Sequence, residues 1–152
     1  LFTGKSLTLA GSLRAVQGLE SAYDGDLSAV IVQNLPLLAE LARTPNSEIT
    51  LMEGWDEKIQ KLADATINEN VTSLAGVPSW MLILLRHVLN VTKKNNIREV
   101  WPNLEVYFHG GINFNPYVHH FKNIFQRIFK QRYFGSGRVI EYKIIFYLPD
   151  RT

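Results

Sequence analysis

The chain has 152 residues, 46% of them hydrophobic and 20% charged, with a formal net charge of +2. That is the composition of one globular domain and excludes a disordered segment or a molecule steered as a whole towards nucleic acid. Cysteine is absent, which excludes thiol nucleophiles, zinc–thiolate sites and disulfide frameworks and fits a reducing cytoplasm.

A compact fold of this length buries roughly 68–70% of the surface exposed by its unfolded chain, enough for a sizeable core. The start, Leu1-Phe2-Thr3-Gly4-Lys5, has neither an initiator methionine nor a basic-then-apolar leader, so the expectation is a fragment or a processed product. The most apolar run, residues 80–85, is far short of the ~20 residues that cross a bilayer, and no membrane partner is expected.

In chain order, Ser6-Leu7-Thr8-Leu9-Ala10 alternates and stops at Gly11-Ser12, which predicts a short strand entering a loop. Asp26 is placed to cap a helix carrying Leu27, Val30, Ile31, Leu35, Leu38 and Leu41 at spacings of three and four, with Pro36 as a kink or break. Arg43-Thr44-Pro45-Asn46-Ser47 is turn chemistry. Over residues 55–70, Ile59, Leu62, Ala63, Thr66 and Ile67 make one apolar helical face. Asp56, Glu57, Lys58, Lys61, Asp64 and Glu69 are assigned to its solvated side.

Residues 71–75 read as a buried strand broken by Gly76-Val77-Pro78-Ser79. Ser79 is the expected cap of the next helix, residues 80–91, which closes at Asn95-Asn96. Another strand, residues 104–108, ends in His109-Gly110-Gly111. Asn115-Pro116 then opens a helix with Phe121, Ile124, Phe125, Ile128 and Phe129 on one stripe. Residues 133–152 change texture: Gly135-Ser136-Gly137 is followed by an apolar β-rich run through Leu148, a strand or hairpin with no assigned place. Alternation of helix and strand predicts an α/β layer with a mostly parallel sheet flanked by helices.

In such sheets ligands bind in the crevice outside the carboxyl ends of the strands. Two loops lie there: Val71-Thr72-Ser73-Leu74-Ala75-Gly76-Val77-Pro78-Ser79-Trp80, and Trp101-Pro102-Asn103-Leu104-Glu105-Val106-Tyr107-Phe108-His109-Gly110-Gly111. Taken alone, the first reads as a strand-to-helix turn before it reads as a ligand wall, and Gly110-Gly111 as a tight turn. Trp80 and Trp101 read first as packing, His109 as a hydrogen-bonded loop histidine.

Together with Gly25-Asp26-Leu27-Ser28-Ala29 and Arg43-Thr44-Pro45, this order of segments resembles the auxin-responsive acyl-acid amido synthetases and their bacterial relatives. They are part of the acyl-adenylating superfamily that also holds acyl-CoA synthetases and luciferases. The resemblance runs from about Gly4 to about Phe129 and is most specific over residues 70–116. It implies a two-step ligase: a carboxylate attacks the α-phosphate of ATP, releasing pyrophosphate, and an amino acid amine then displaces AMP to leave an amide. It implies ATP and Mg²⁺ as cofactors of the intact enzymes, with charge neutralisation and positioning as the source of rate. A small carboxylic acid and an amino acid are its implied partners. Carried over by position, Val77, Pro78, Ser79 and Trp80 would wall the acyl group, while His109, Gly110 and Gly111 would run past the adenylate. No residue is assigned a catalytic or metal-binding role.

The chain departs from that family at both ends. The Ser/Thr/Gly-rich phosphate loop expected upstream of Gly4 is not in it, and Gly4-Lys5-Ser6 is no substitute. After residue 129 the acidic Ser-Glu-Gly type loop is replaced by Lys130-Gln131-Arg132-Tyr133-Phe134-Gly135-Ser136-Gly137-Arg138. The expectation is therefore an internal piece of the large adenylating lobe, residues 1–130, with a divergent tail, residues 131–152, such as a frameshift produces. Alone it is expected to be inactive, to hold neither ATP nor Mg²⁺ tightly, and to self-associate through apolar surface left uncovered.

A rival from another class rests on Lys122, Arg127, Lys130, Arg132, Arg138 and Lys143 among Phe121, Phe125, Phe129, Tyr133 and Phe134. Basic charge interleaved with aromatics can hold single-stranded nucleic acid or an anionic surface. The helical spacing of Phe121, Ile124, Phe125, Ile128 and Phe129 favours a packed core stripe instead, so nucleic acid is not the expected partner. His119-His120 with His109 has no carboxylate at ligand spacing, and Gly135-Ser136-Gly137 lacks the spacing of a nucleophile elbow.

Overall fold

The computed structural model describes residues 4–15, 17, 23–126, 130–134 and 142–146. In chain order these form β1 (Lys5–Thr8), a small hairpin of β2 (Leu13–Ala15) and β3 (Tyr23–Gly25), helices α1 (Leu27–Gln33) and α2 (Leu37–Leu41), and β4 (Arg43–Thr44). There follow α3 (Ser47–Thr50), α4 (Trp55–Thr66), β5 (Val71–Ala75), α5 (Pro78–Thr92), β6 (Val106–His109), α6 (Val118–Phe125), β7 (Lys130–Phe134) and β8 (Tyr142–Phe146).

Six strands share one sheet in the order β4-β1-β5-β6-β8-β7. The first four are mutually parallel, and β8 and β7 add an antiparallel hairpin beyond β6. The expected α/β architecture is therefore present, with a parallel four-strand unit flanked by helices.

Register explains which sheet face is packed. Leu7 lies opposite Leu74, which lies opposite Tyr107, and all three are buried. Because side chains alternate along a strand, the rows on either side, Ser6–Ser73–Val106 and Thr8–Ala75–Phe108, point to the other face. Leu62, Leu84, Leu85, Val88, Trp101, Phe114, Phe121 and Phe125 join Leu7, Leu74 and Tyr107 in a single core cluster. Trp101 has its one polar atom satisfied there, Nε1–H donating to the Thr66 carbonyl at 2.9 Å.

Pro36, expected to kink or break its segment, breaks it: α1 stops at Gln33, and α2 starts with Pro36 as its N-cap. Several other sequence expectations need correction. Ser79 is not a cap. Val77 holds that position and Pro78 is the first helical residue, because proline's fixed φ suits the start of a helix and its missing N–H is not needed there. The segment at residues 43–47 is a short strand followed by α3, whose cap is the Asn46 side chain accepting from the Ile49 N–H. The last phenylalanine helix begins as a 3₁₀ turn, Asn115–Tyr117, and α6 stops at Phe125 because Gln126 turns left-handed at φ 53°. Ile128, Phe129 and Gly135-Ser136-Gly137 lie outside the described residues.

Candidate functional site

The parallel unit brings three strand ends together: residues 9–12 after β1, residues 76–79 after β5 and residues 109–111 at the end of β6. Backbone hydrogen bonds continue past the strands and fix the loops against one another. Leu9 N–H donates to the Ala75 carbonyl at 2.8 Å, and Gly76 N–H donates to the Phe108 carbonyl at 3.1 Å. Glycine is required at residue 76 by this closeness, since a Cβ there would stand 2.9 Å from the Leu9 carbonyl oxygen.

The second loop abuts the first. Gly111 has φ 81°, a backbone region that side-chain-bearing residues rarely enter, and a Cβ on it would stand 3.4 Å from Val77 Cγ2. Tyr107 ties the pair from beneath, its hydroxyl donating to the Gly76 carbonyl at 2.9 Å. Burial pushes that phenol well above its ordinary pKa, so it stays a neutral donor.

The sequence-nominated residues divide into two kinds here. Val77 and Ser79 are half-buried, Gly110 is half-buried, and Gly111 and Trp80 are exposed. These lie in the loops after β5 and β6 and in the first turn of α5. Pro78 is buried and serves the start of α5. His109 is also buried, its ring stacked on Phe114 at 4.2 Å between centroids and lying 5.4 Å from Tyr107. Its side chain therefore belongs to the aromatic layer under the loop, and only its backbone continues into the glycines.

Helix α5 adds an electrostatic feature. The first N–H groups of any helix lack intrahelical acceptors, and Val77 supplies no side-chain cap. The amino end of a 15-residue helix thus points its partial positive charge at the loops, an arrangement that favours an anionic group.

Sequence reasoning missed the residue that holds the third loop. Lys58, assigned above to the solvated side of its helix, is only 2% exposed. Its Nζ donates to the Ala10 carbonyl at 2.8 Å and to the Gly11 carbonyl at 3.0 Å. Desolvation lowers its pKa to about 8, against the opposing attraction of Asp26. The signal was present in the spacing: Lys58 stands three residues after Trp55 and four before Leu62, on the apolar stripe itself. The same helix reaches the acyl-wall candidates, with Trp55 and Trp80 packed at 4.9 Å between ring centroids.

Two shallow open depressions lie away from Val77 and Gly110. One, lined by Ser12, Arg14, Asp24, Gly25 and Asp26, adjoins the loop after β1. The other, lined by Lys5, Leu38, Leu41, Glu69 and Asn70 among others, lies at the amino edge of the sheet. Among the described residues no group of His, Asp and Glu is arranged to hold a metal ion. His119 meets Asn123 and His120 meets Arg86, each at 3.1 Å.

The basic–aromatic rival loses its stacking platform where it can be seen. Phe121 and Phe125 are 0% and 2% exposed, so neither presents a ring face to a base. Arg127, Phe129 and Arg138 lie outside the described residues.

A model of the GH3 family N-terminal domain matches residues 9–128, a span that takes in all three strand-end loops. No curated protein and no solved structure matches the chain.

Proposed function

From a chain that belongs to the GH3 family, whose members are ATP-dependent acyl-acid amido synthetases, we propose the following reading: residues 1–130 form part of the large adenylating lobe, with one wall of the acyl-adenylate site at the ends of β5 and β6. Val77, Ser79 and Trp80 line the acyl side, with Pro78 setting their direction. The backbone of residues 109–111 lies along the adenylate. The observation that supports this reading is the meeting of the two loops, where a Cβ on residue 111 would come to 3.4 Å, ordinary contact distance, from Val77 Cγ2. A backbone without Cβ leaves room for a flat ligand to approach.

The backbone glycines and the amino end of α5 fit an adenylate with its negative phosphate. The described residues do not fit Mg²⁺, since they offer no carboxylate cluster for it, and no step is routed through the metal here. Phosphate loop, metal ligands and the small C-terminal domain of the family's enzymes are contributions from outside residues 1–130. Residues 1–130 on their own therefore bind an acyl-adenylate weakly and turn nothing over, and β7 and β8 extend the sheet of the lobe beyond β6. The proposed use of ATP and free amino acids fits a cytoplasmic reaction.

Calorimetric titration with aryl- and indole-acyl sulfamoyladenosines, stable mimics of the adenylate, tests this directly. Saturable binding that prefers the acyl conjugate over AMP is expected, together with no ATP–pyrophosphate exchange across a panel of aryl and indole acids. Absence of any binding would overturn the site. Exchange by the isolated chain would overturn its inactivity.

A further inference from the structure

The loop after β1 is fastened to the interior by one side chain. Lys58, the fourth residue of α4, is 2% exposed. Its Nζ donates to two successive carbonyls, Ala10 at 2.8 Å and Gly11 at 3.0 Å, and both bonds are buried. The negative ends of two peptide groups are thereby turned inward. Burying an ammonium is costly, and an apolar side chain of the same length would fill that space without the cost. Charges kept under such conditions concentrate at functional sites.

Two sets of contacts join Lys58 to the loops of the proposed site. On the strand side, Leu9 N–H donates to the Ala75 carbonyl at 2.8 Å, and the Leu9 carbonyl lies 2.9 Å from where a Cβ on Gly76 would stand. The residues that Lys58 holds therefore follow directly on a segment packed against the start of the loop after β5. On the helix side, Trp55 lies three residues before Lys58, on the same face of α4, and packs on Trp80 at 4.9 Å between ring centroids.

We propose that Lys58 is a positioning residue of the acyl-adenylate site: it fixes the loop after β1 as a third wall and sets a buried positive charge behind it for an anionic ligand. The role rests on the ligase reading above. Released from Lys58, the carbonyls of Ala10 and Gly11 would be free to turn towards the adenylate phosphate and repel it. An ammonium also grips carbonyls more strongly than a neutral amine does, so loss of its proton slackens the hold and removes the charge together.

The surroundings of Lys58 make that loss accessible. Desolvation brings its pKa down to about 8, against the attraction of Asp26. Asp26 precedes α1, and its carboxylate packs on Gly11, where a Cβ would overlap it. The other neighbours of the tie are uncharged: the Ser28 hydroxyl, which accepts from Gly11 N–H at 3.1 Å, and the Trp55–Trp80 pair.

Calorimetric titration with an indole-acyl sulfamoyladenosine, whose sulfamate stays anionic from about pH 7 to about pH 9.5, reads the role. Wild-type affinity is expected to fall over that range, roughly five- to tenfold for an anion that lifts the lysine pKa by about one unit on binding. Unfolding does not mimic the fall, because deprotonation relieves a buried charge and the fold gains stability through the same window. Lys58→Met is expected to bind more weakly near pH 7 and equally at both ends of the range. Asp26→Asn removes the carboxylate that raises the lysine pKa, so its affinity is expected to fall from a lower pH, a second readout should Lys58→Met fail to fold. Wild-type affinity that ignores pH would make Lys58 a structural tie alone, since the neutral amine still has donors for both carbonyls. A pH dependence that survives Lys58→Met, wild-type affinity in that variant, or an unmoved profile in Asp26→Asn would each overturn the proposal as well. Absence of wild-type binding near pH 7 would overturn the ligase reading and this role with it, whereas binding that ignores pH would overturn this role only.

Discussion

Replacing Lys58 by methionine separates two effects that its burial sets against each other. The folded chain lowers the lysine pKa from 10.5 to about 8, which corresponds to about 3 kcal/mol of penalty on the buried ammonium at neutral pH. Methionine has similar reach and removes that penalty. It also removes the donor to the Ala10 and Gly11 carbonyls, at about 1–3 kcal/mol for each carbonyl left unsatisfied. Near pH 7 the two nearly offset, and Lys58→Met is expected to lie between about 1 kcal/mol more stable and about 3 kcal/mol less stable than the wild type.

Raising the pH changes the balance in one direction. Between pH 8 and 10.5 the unfolded chain binds this proton more tightly than the folded chain does, so wild-type stability rises with pH through that window. The neutral amine keeps two N–H donors for its two carbonyls. Near pH 9.5 the wild type has shed about 2 kcal/mol of the penalty, and the variant becomes less stable than the wild type by about 1–5 kcal/mol. Urea unfolding of both proteins near pH 7 and pH 9.5, followed by tryptophan fluorescence, measures that gap, and titrations common to both cancel. A difference that stays constant or moves in the variant's favour with pH would show that the ammonium is not held at a desolvation penalty.

Three further substitutions bear on the loops. Gly111→Ala forces a side chain into φ 81° beside Val77 and is expected to destabilise by about 1–2 kcal/mol, with loss of acyl-sulfamoyladenosine binding by calorimetry. Tyr107→Phe deletes the hydroxyl bond to the Gly76 carbonyl; a loss of about 1–3 kcal/mol in urea melts and a several-fold weaker affinity are expected. Trp80→Ala removes a side chain that is 37% exposed, so stability should fall by no more than about 1–2 kcal/mol while acyl-dependent binding disappears. Equal binding by Trp80→Ala and wild type would remove that residue from the acyl wall.

What was legible in the sequence follows from physics that acts locally. Residues 71–75 read as a strand and form one because every side chain but the last is buried, which yields an unbroken apolar or small run. Pro36 and Pro78 marked boundaries because proline's backbone limits act whatever the surroundings, although their roles as caps or first residues depended on neighbouring geometry. The exposure of Leu27, Leu37, Leu38 and Leu41 on α1 and α2 was not legible. Their periodicity is that of a packed amphipathic helix, and only the tertiary arrangement leaves them outside.

The site shows the same division. The two loops could be found from turn residues at strand ends, but the sinking of His109 into an aromatic stack depends on Phe114, which reaches it from the following loop. Lys58 was misplaced because a lysine is assigned to water by default. Its two acceptors lie 47 and 48 residues away, where no local pattern reports them.

The account rests most heavily on the loops after β5 and β6 forming one wall of one site. Amide chemical shifts of the ¹⁵N-labelled chain, titrated with an indole-acyl sulfamoyladenosine, test this residue by residue. The account predicts that Val77, Ser79, Trp80, Gly110 and Gly111 shift together along a single saturation curve. Shifts confined to one loop, or clustered at another surface while these five stay still, would contradict it.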